Sequence, residues 1–216
     1  DHRDLHSFPT RRSSDLHVIG LHFHIGSQIT NLSIFRKLSQ KINYFQQIYF
    51  SEFQFTYLNV GGGLGISYQH PELQPVPDFE SYFAAFRETL QLREGTEVHF
   101  ELGRSIVGQC GALISKVLYI KANQNRKFAI IDAGMNNLIR PALYNASHKI
   151  VCFTERNTYE FYDIAGPICE SADIFGKHVK LPELKRGDFI AILSAGAYGE
   201  VMSSNYNLRM QLPLIV

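Results

Sequence analysis

Tyr57-Leu58-Asn59-Val60-Gly61-Gly62-Gly63-Leu64-Gly65 sets the architecture expected of the first half of this chain. A short apolar run headed by an aromatic and ending directly in glycines reads as a buried strand. It stops either in a tight turn or in an anion cradle. Glycines allow the second because no Cβ keeps backbone N–H groups from closing around a phosphate. The run lacks the Lys-Ser/Thr of a P-loop and the G-x-G-x-x-G spacing of a dinucleotide site. Taken alone, it leaves turn and cradle equally open.

Upstream, residues 18–24 form a second short run, rich in β-branched and aromatic residues. Between the two, Phe35, Leu38, Ile42, Phe45 and Tyr49 recur at helical spacing behind Asn31, a candidate N-cap. Downstream, Phe79, Tyr82, Phe83, Phe86 and Leu90 mark a helix between Asp78 and Gly95, and residues 98–101 a third strand. Strand and helix in alternation predict a parallel sheet with right-handed crossovers. Past Arg104 the period changes. Residues 112–120, 127–131, 149–153, 159–164 and 188–193 are short runs separated by turn residues, with no helical period. The chain therefore reads as α/β followed by all-β, with a boundary near residue 105.

Residues 1–16 match neither half. They have no apolar period, begin on Asp1 and contain Pro9, and read as a foreign leader fused to an incomplete reading frame. A basic targeting segment is the rival, and Asp1, Asp4 and Asp15 count against it. Leu214-Ile215-Val216 has the pattern of a strand interior, so both ends read as cut.

At 216 residues and 45% hydrophobic, with 16 Phe and 11 Tyr, the chain predicts one large or two small packed domains rather than disorder. Lys and Arg number 21 against 20 Asp and Glu, which gives no sign of a nucleic-acid partner. Three irregularly spaced cysteines argue against a disulfide framework and for a reducing compartment. No apolar run approaches the ~20 residues of a membrane span, so the expected setting is cytoplasmic.

Polar groups cluster where the apolar runs end. In His22-Phe23-His24 a period of two puts both imidazoles on one strand face, as the metal ligands of a barrel hydrolase would be. His70 lies in a Pro-rich loop and His99 within a strand, so that ligand set is incomplete and no metal is expected. The alternative is one imidazole against a flat ligand, with Gly26 and Ser27 offering hydrogen bonds to an anion. Glu101 and Arg104 close the third strand: either a surface ion pair, or a carboxylate facing a protonated ring nitrogen with an arginine for phosphate or carboxylate. Arg140 and Tyr144 flank Pro141 in an expected loop, and Cys169-Glu170 follows Gly166-Pro167. A thiol beside a carboxylate in a turn is unusual for a residue that is commonly buried. Tyr198 stands among glycines, and Cys110 and Cys152 read as ordinary core residues.

In order and register from about residue 17 to 216, these motifs resemble the diaminopimelate decarboxylases. These are pyridoxal-phosphate enzymes that pair an alanine-racemase-like (β/α)8 barrel with a β-domain. Cys169-Glu170-Ser171 is the specific part; ornithine and arginine decarboxylases share the earlier motifs but usually have another residue where Glu170 stands. The resemblance implies the C-terminal part of the barrel over residues 17–104, then a β-sandwich or β-barrel domain over 105–216. It implies pyridoxal 5'-phosphate as cofactor and decarboxylation of meso-2,6-diaminopimelate to L-lysine, the last step of lysine biosynthesis. His24 would stack on the cofactor ring, Ser27, Gly62 and Gly63 would bind its phosphate, and Glu101 would face its nitrogen. Gly103, Arg104 and Tyr198 would complete the cofactor site. Arg104, Arg140, Tyr144 and Tyr198 would hold the substrate, Glu170 would meet its distal ammonium, and Cys169 would be the catalytic proton donor. Cys169 and Glu170 would serve the neighbouring subunit of a homodimer.

Three departures stand out: Leu102 replaces a usual Pro, Asn137 a usual Asp, and the lysine that carries the cofactor lies upstream of this sequence. Lys121-Ala122-Asn123 imitates that lysine motif but falls in the β-region. The chain itself is therefore expected to be inactive. Three other readings remain: a decarboxylase of ornithine or arginine, a metal-dependent barrel hydrolase built on His22 and His24, and a relative that binds the cofactor without catalysis.

Overall fold

Parallel pairing, which strand–helix alternation demands, organises the first part of the chain. A computed structural model describes residues 18–49 and 55–215; the expected leader at 1–16 lies outside them. Strands β1 (Gly20–His22), β2 (Tyr57–Asn59) and β3 (Glu97–His99) form a parallel sheet in that order. Helix α1 (Ser33–Tyr49) joins the first pair and α2 (Phe79–Thr89) precedes the third. Asn31 is the cap its position suggested: its Oδ1 accepts from the Ser33 amide at 3.0 Å. The helical stripe is buried at Phe35, Leu38 and Ile42. There the ring of Phe35 meets Tyr82 edge-on at 4.8 Å, and Phe100 closes on Phe86 at 5.3 Å.

Gly95 does not end α2. The helix stops at Thr89, where the Asn43 side chain takes the Thr89 carbonyl and the Gln91 amide. Gly95, at φ +81°, serves the turn before β3 instead. β3 also stops short of Glu101 and Arg104. Arg104 opens a single helical turn, α3 (Arg104–Val107), that runs into a 3-10 turn at Gly108–Cys110.

The second part is the expected all-β region. Six strands, β4 (Leu113–Ala122), β5 (Lys127–Ile131), β6 (Ile150–Cys152), β7 (Tyr159–Ala165), β8 (Ile174–Pro182) and β9 (Phe189–Ile192), form one sheet in the order β6-β9-β4-β5-β7-β8. Only β5 and β7 pair in parallel. The edge strands β6 and β8 come together, so the sheet curls toward a closed barrel around Val117, Ile131, Tyr162, Ile164, Ile190 and Ile192. The buried Tyr162 keeps its hydroxyl satisfied by the Leu184 amide at 3.0 Å.

Two elements had no sequence signal. β8 is interrupted by Gly176 and by register shifts against β7, which destroy its period of two. Helix α4 (Arg140–Tyr144) occupies what read as a loop; five residues with Pro141 in the first turn are too short to show a period. Cys110 is exposed at the end of its 3-10 turn rather than in the core, and Cys152 is half-buried. Leu214 and Ile215 are not in a strand. The molecule divides into two compact units: the described parts of Asp1–Gly63 with Phe79–Glu101, and Leu64–Asp78 with Leu102–Val216.

Candidate functional site

In the first unit the polar groups gather beyond the carboxyl ends of the parallel strands, where open α/β sheets take their ligands. Glu101 lies two residues past β3 and is gripped at both oxygens. Asn59 Nδ2, from the end of β2, donates to Oε1 at 2.9 Å, and His22 Nε2, from the end of β1, lies 3.2 Å from Oε2. A carboxylate only accepts, so His22 carries its proton on Nε2. Asn59 Oδ1 accepts from the Gly61 amide at 2.8 Å, and the Glu101 amide donates to the Gly61 carbonyl at 2.9 Å. The carboxylate is therefore oriented, yet its side chain stays about half accessible (49%).

Beside it two loops cross. Ile29 donates its amide to the Gly63 carbonyl at 2.8 Å, which ties residues 24–29 to the glycine run. Gly63 sits at φ +100°, and a Cβ there would stand 2.4 Å from the Gly26 carbonyl oxygen. Only glycine meets both conditions. Gly61 and Gly62 are buried, while His24 and Ser27 are exposed beside them. A backbone cradle next to an oriented carboxylate fits a phosphate and a protonatable ring on one ligand.

The second unit holds a cationic group built around Tyr68, a residue of the segment between the glycine loop and α2. Arg104 Nη1 donates to the Tyr68 hydroxyl, and the Arg140 guanidinium lies over the Tyr68 ring at 4.5 Å. Arg104 also covers the Tyr198 ring at 4.9 Å. Tyr198 is placed by a backbone crossing: Gly196 donates to the Gly108 carbonyl, and a Cβ on Gly196 would lie 2.0 Å from the Val107 oxygen. Arg140 is buried, and burial pushes its guanidinium below the usual arginine value; Arg104 pushes the same way, and the phenols of Tyr68, Tyr144 and Tyr198 oppose. Two cations held among phenols suit a carboxylate or phosphate. Tyr144, at the end of α4, is exposed.

Cys169 and Glu170 stand elsewhere in this unit. Both are exposed on the turn after Gly166-Pro167, and Glu170 Oε1 accepts from the Tyr206 hydroxyl at 2.6 Å. The Glu170 carboxylate in turn raises the Tyr206 phenol above its ordinary value. Asp173 ties the turn down: its buried carboxylate accepts from the Ile168 amide at 2.7 Å and the Met135 amide at 2.6 Å. Burial raises its carboxyl, against the pull of those two amides. Asn137 Oδ1 accepts from the Gly134 amide at 3.0 Å, a task an aspartate oxygen performs equally well. Among the described residues, no hydrogen bond or ring contact joins Glu170 to Arg104, Arg140 or Tyr198.

The supporting residues Asn59, Tyr68, His148, Asp173 and Tyr206 were not singled out from sequence. His148 had one available signal, its in-phase spacing with the buried Ile150. Of the metal reading, His22 is engaged by Glu101, His99 lies 3.5 Å from Glu97 and His70 3.5 Å from Glu72. Among the described residues no three His, Cys, Asp or Glu come together as a metal site. Lys121 stands exposed on β4, opposite Phe128. No described helix is long and apolar enough to cross a membrane.

The family model described as "Pyridoxal-dependent decarboxylase, C-terminal sheet domain" matches residues 15–196. A diaminopimelate decarboxylase of Bacteroides thetaiotaomicron is 56% identical over 196 residues, covering 90% of this chain and 50% of that protein. One from Aquifex aeolicus is 40% identical over 198 residues, covering 90% and 46%. Among solved structures, diaminopimelate decarboxylase from Helicobacter pylori complexed with L-lysine superposes with a TM-score of 0.83 at 40% identity, covering 94% of this chain and 50% of that one. The chain thus spans about half the length of the relatives it matches.

Proposed function

This chain belongs to the pyridoxal-dependent decarboxylase family, and we propose that the whole protein converts meso-2,6-diaminopimelate to L-lysine and CO2. The carrying observation is the 56% identity to a diaminopimelate decarboxylase; the polar groups described above agree with it. Residues 17–104 then belong to a (β/α)8 barrel and 105–216 to the β-domain.

The cradle of the first unit fits the cofactor: Ser27, Gly62 and Gly63 would hold its phosphate, His24 would stack on its ring and Glu101 would meet its nitrogen. When bound, pyridoxal phosphate supplies the electron sink that stabilises the carbanion left by CO2. Glu101 would keep the ring nitrogen protonated, which His22 and Asn59 would assist by fixing the carboxylate. Arg140, with Arg104, Tyr144 and Tyr198, binds a substrate carboxylate. Glu170 pairs with the distal ammonium, and a substrate with an acid and an amine at each end needs both contacts. Cys169 Sγ delivers the proton to the α-carbon after the carbon–carbon bond breaks. Glu170 is bonded to Tyr206, and we assign it and Cys169 to the partner subunit's site in a homodimer. The setting is cytoplasmic.

The full-length protein, loaded with pyridoxal phosphate, should release CO2 from meso-diaminopimelate at least about a hundredfold faster than from ornithine or arginine, as kcat/KM. That ratio is of the size expected when a buried charged contact is missing from the wrong substrate. Preference for ornithine or arginine would overturn the assignment.

A further inference from the structure

His148 is buried just before β6 and carries none of the roles assigned above. Its Nε2 lies 3.0 Å from Arg140 Nη1, and its Nδ1 lies 2.8 Å from the Leu193 carbonyl oxygen. Chemistry fixes the protons. A guanidinium has only donors, so Nε2 must offer its lone pair; a carbonyl only accepts, so Nδ1 must carry the hydrogen. One neutral tautomer satisfies both contacts. The Tyr68 ring meets the imidazole edge-on at 4.8 Å and lies under the same guanidinium at 4.5 Å.

We propose that His148 is a positioning residue for Arg140, a neutral imidazole whose Nε2 anchors one edge of the guanidinium while the Tyr68 ring supports its face. The other N–H groups are then left for a carboxylate. This rests on reading Arg140 as the carboxylate-binding arginine of the decarboxylase. The charged and titratable groups facing the imidazole are Arg140, Arg104 and Tyr68. Both cations oppose its protonation.

The test separates acceptor from donor in the full-length, cofactor-loaded enzyme. His148→Gln places a carbonyl oxygen near Nε2 and keeps an acceptor for Arg140. His148→Asn keeps an amide near Nδ1 for Leu193 and removes that acceptor. His148→Asn should raise KM for diaminopimelate about tenfold with kcat little changed, the loss of one charge-assisted contact. His148→Gln should stay close to wild type. Equal effects of the two variants on KM and kcat, or an unchanged KM in folded His148→Asn protein, overturn the proposal. Nitrogen-15 NMR of the imidazole in the wild-type protein decides the point without activity. An Nδ1–H tautomer at pH 7 supports it, and an Nε2–H tautomer or an imidazolium overturns it. Should the wild-type protein fail to decarboxylate diaminopimelate, the functional reading falls, and the NMR result still judges His148.

Discussion

His148 shows what a single buried side chain does to the acid stability of this fold. Burial, together with Arg140 and Arg104, lowers its pKa from 6.5 to about 4, despite the hydrogen bond to Leu193 that pulls the other way. Above pH 6.5 neither the folded nor the unfolded chain binds a proton there. Between 6.5 and about 4 only the unfolded chain does, so stability falls with pH through that window and levels off below it. The full loss is about 3 kcal/mol. Thermal unfolding from pH 7.5 to 4 should show wild type losing this extra stability while His148→Gln, with no group to titrate, does not. Parallel curves for the two proteins would remove His148 as the cause. The residues proposed to touch ligands were legible in the sequence because their chemistry is odd for its place: Cys169 beside Glu170 in a turn, Arg104 just past a strand. Their supports were not. Asn59, His148 and Asp173 look like ordinary polar residues until the fold brings Glu101, Arg140 and the Ile168 amide against them.

Elements were legible in proportion to their period. α1 announced itself through Phe35, Leu38 and Ile42 and through its Asn31 cap, because a helix of 17 residues repeats its stripe several times. β8 and α4 did not, one because its register shifts and the other because it is five residues long. The glycine run belongs between these cases: sequence gave its glycines but left turn and cradle open, and the crossing with Gly26 is what requires Gly63. Gly63→Ala should therefore act twice. Its Cβ would press on the Gly26 carbonyl oxygen at 2.4 Å, and alanine is strained at φ +100°. The expected cost is about 2–4 kcal/mol of stability in the full-length protein, with pyridoxal phosphate bound at least about tenfold more weakly. Gly95→Ala is the control, because it has positive φ but no atom within 4 Å of the added Cβ. It should cost about 1 kcal/mol through strain alone and leave cofactor affinity unchanged. Titration of the cofactor's absorbance and a thermal melt on both variants separate the two contributions. Equal losses of affinity would show that the crossing at Gly26 is not what holds the cradle.

At the scale of the molecule, the change of period past Arg104 was visible in the sequence as a change from helical spacing to short runs. That Leu64–Asp78 packs with the sheet unit was not visible, because the reason is a handful of contacts. The Lys149 amide donates to the Tyr68 carbonyl, and Gln109 reaches the carbonyls of Pro71 and Gln74. Such contacts leave no period in a Pro-rich segment. Glu170 is bonded to Tyr206. If the turn at Cys169 serves a partner subunit, neither subunit needs to be intact for one site of a dimer to work. Cys169→Ala protein keeps a good cofactor lysine but lacks the thiol. A variant whose cofactor lysine is replaced keeps the thiol but cannot hold the cofactor productively. Each homodimer should be nearly inactive, through kcat far more than KM for Cys169→Ala, since that change removes a proton donor and not a substrate contact. Mixed and allowed to exchange, half of the random dimers are mixed, and each of those has one site with both a lysine and a thiol. Activity should return to about a quarter of wild type, since one site in two works in half of the dimers. A mixture that stays inactive while native mass spectrometry shows the heterodimer would place Cys169 in the site of its own subunit.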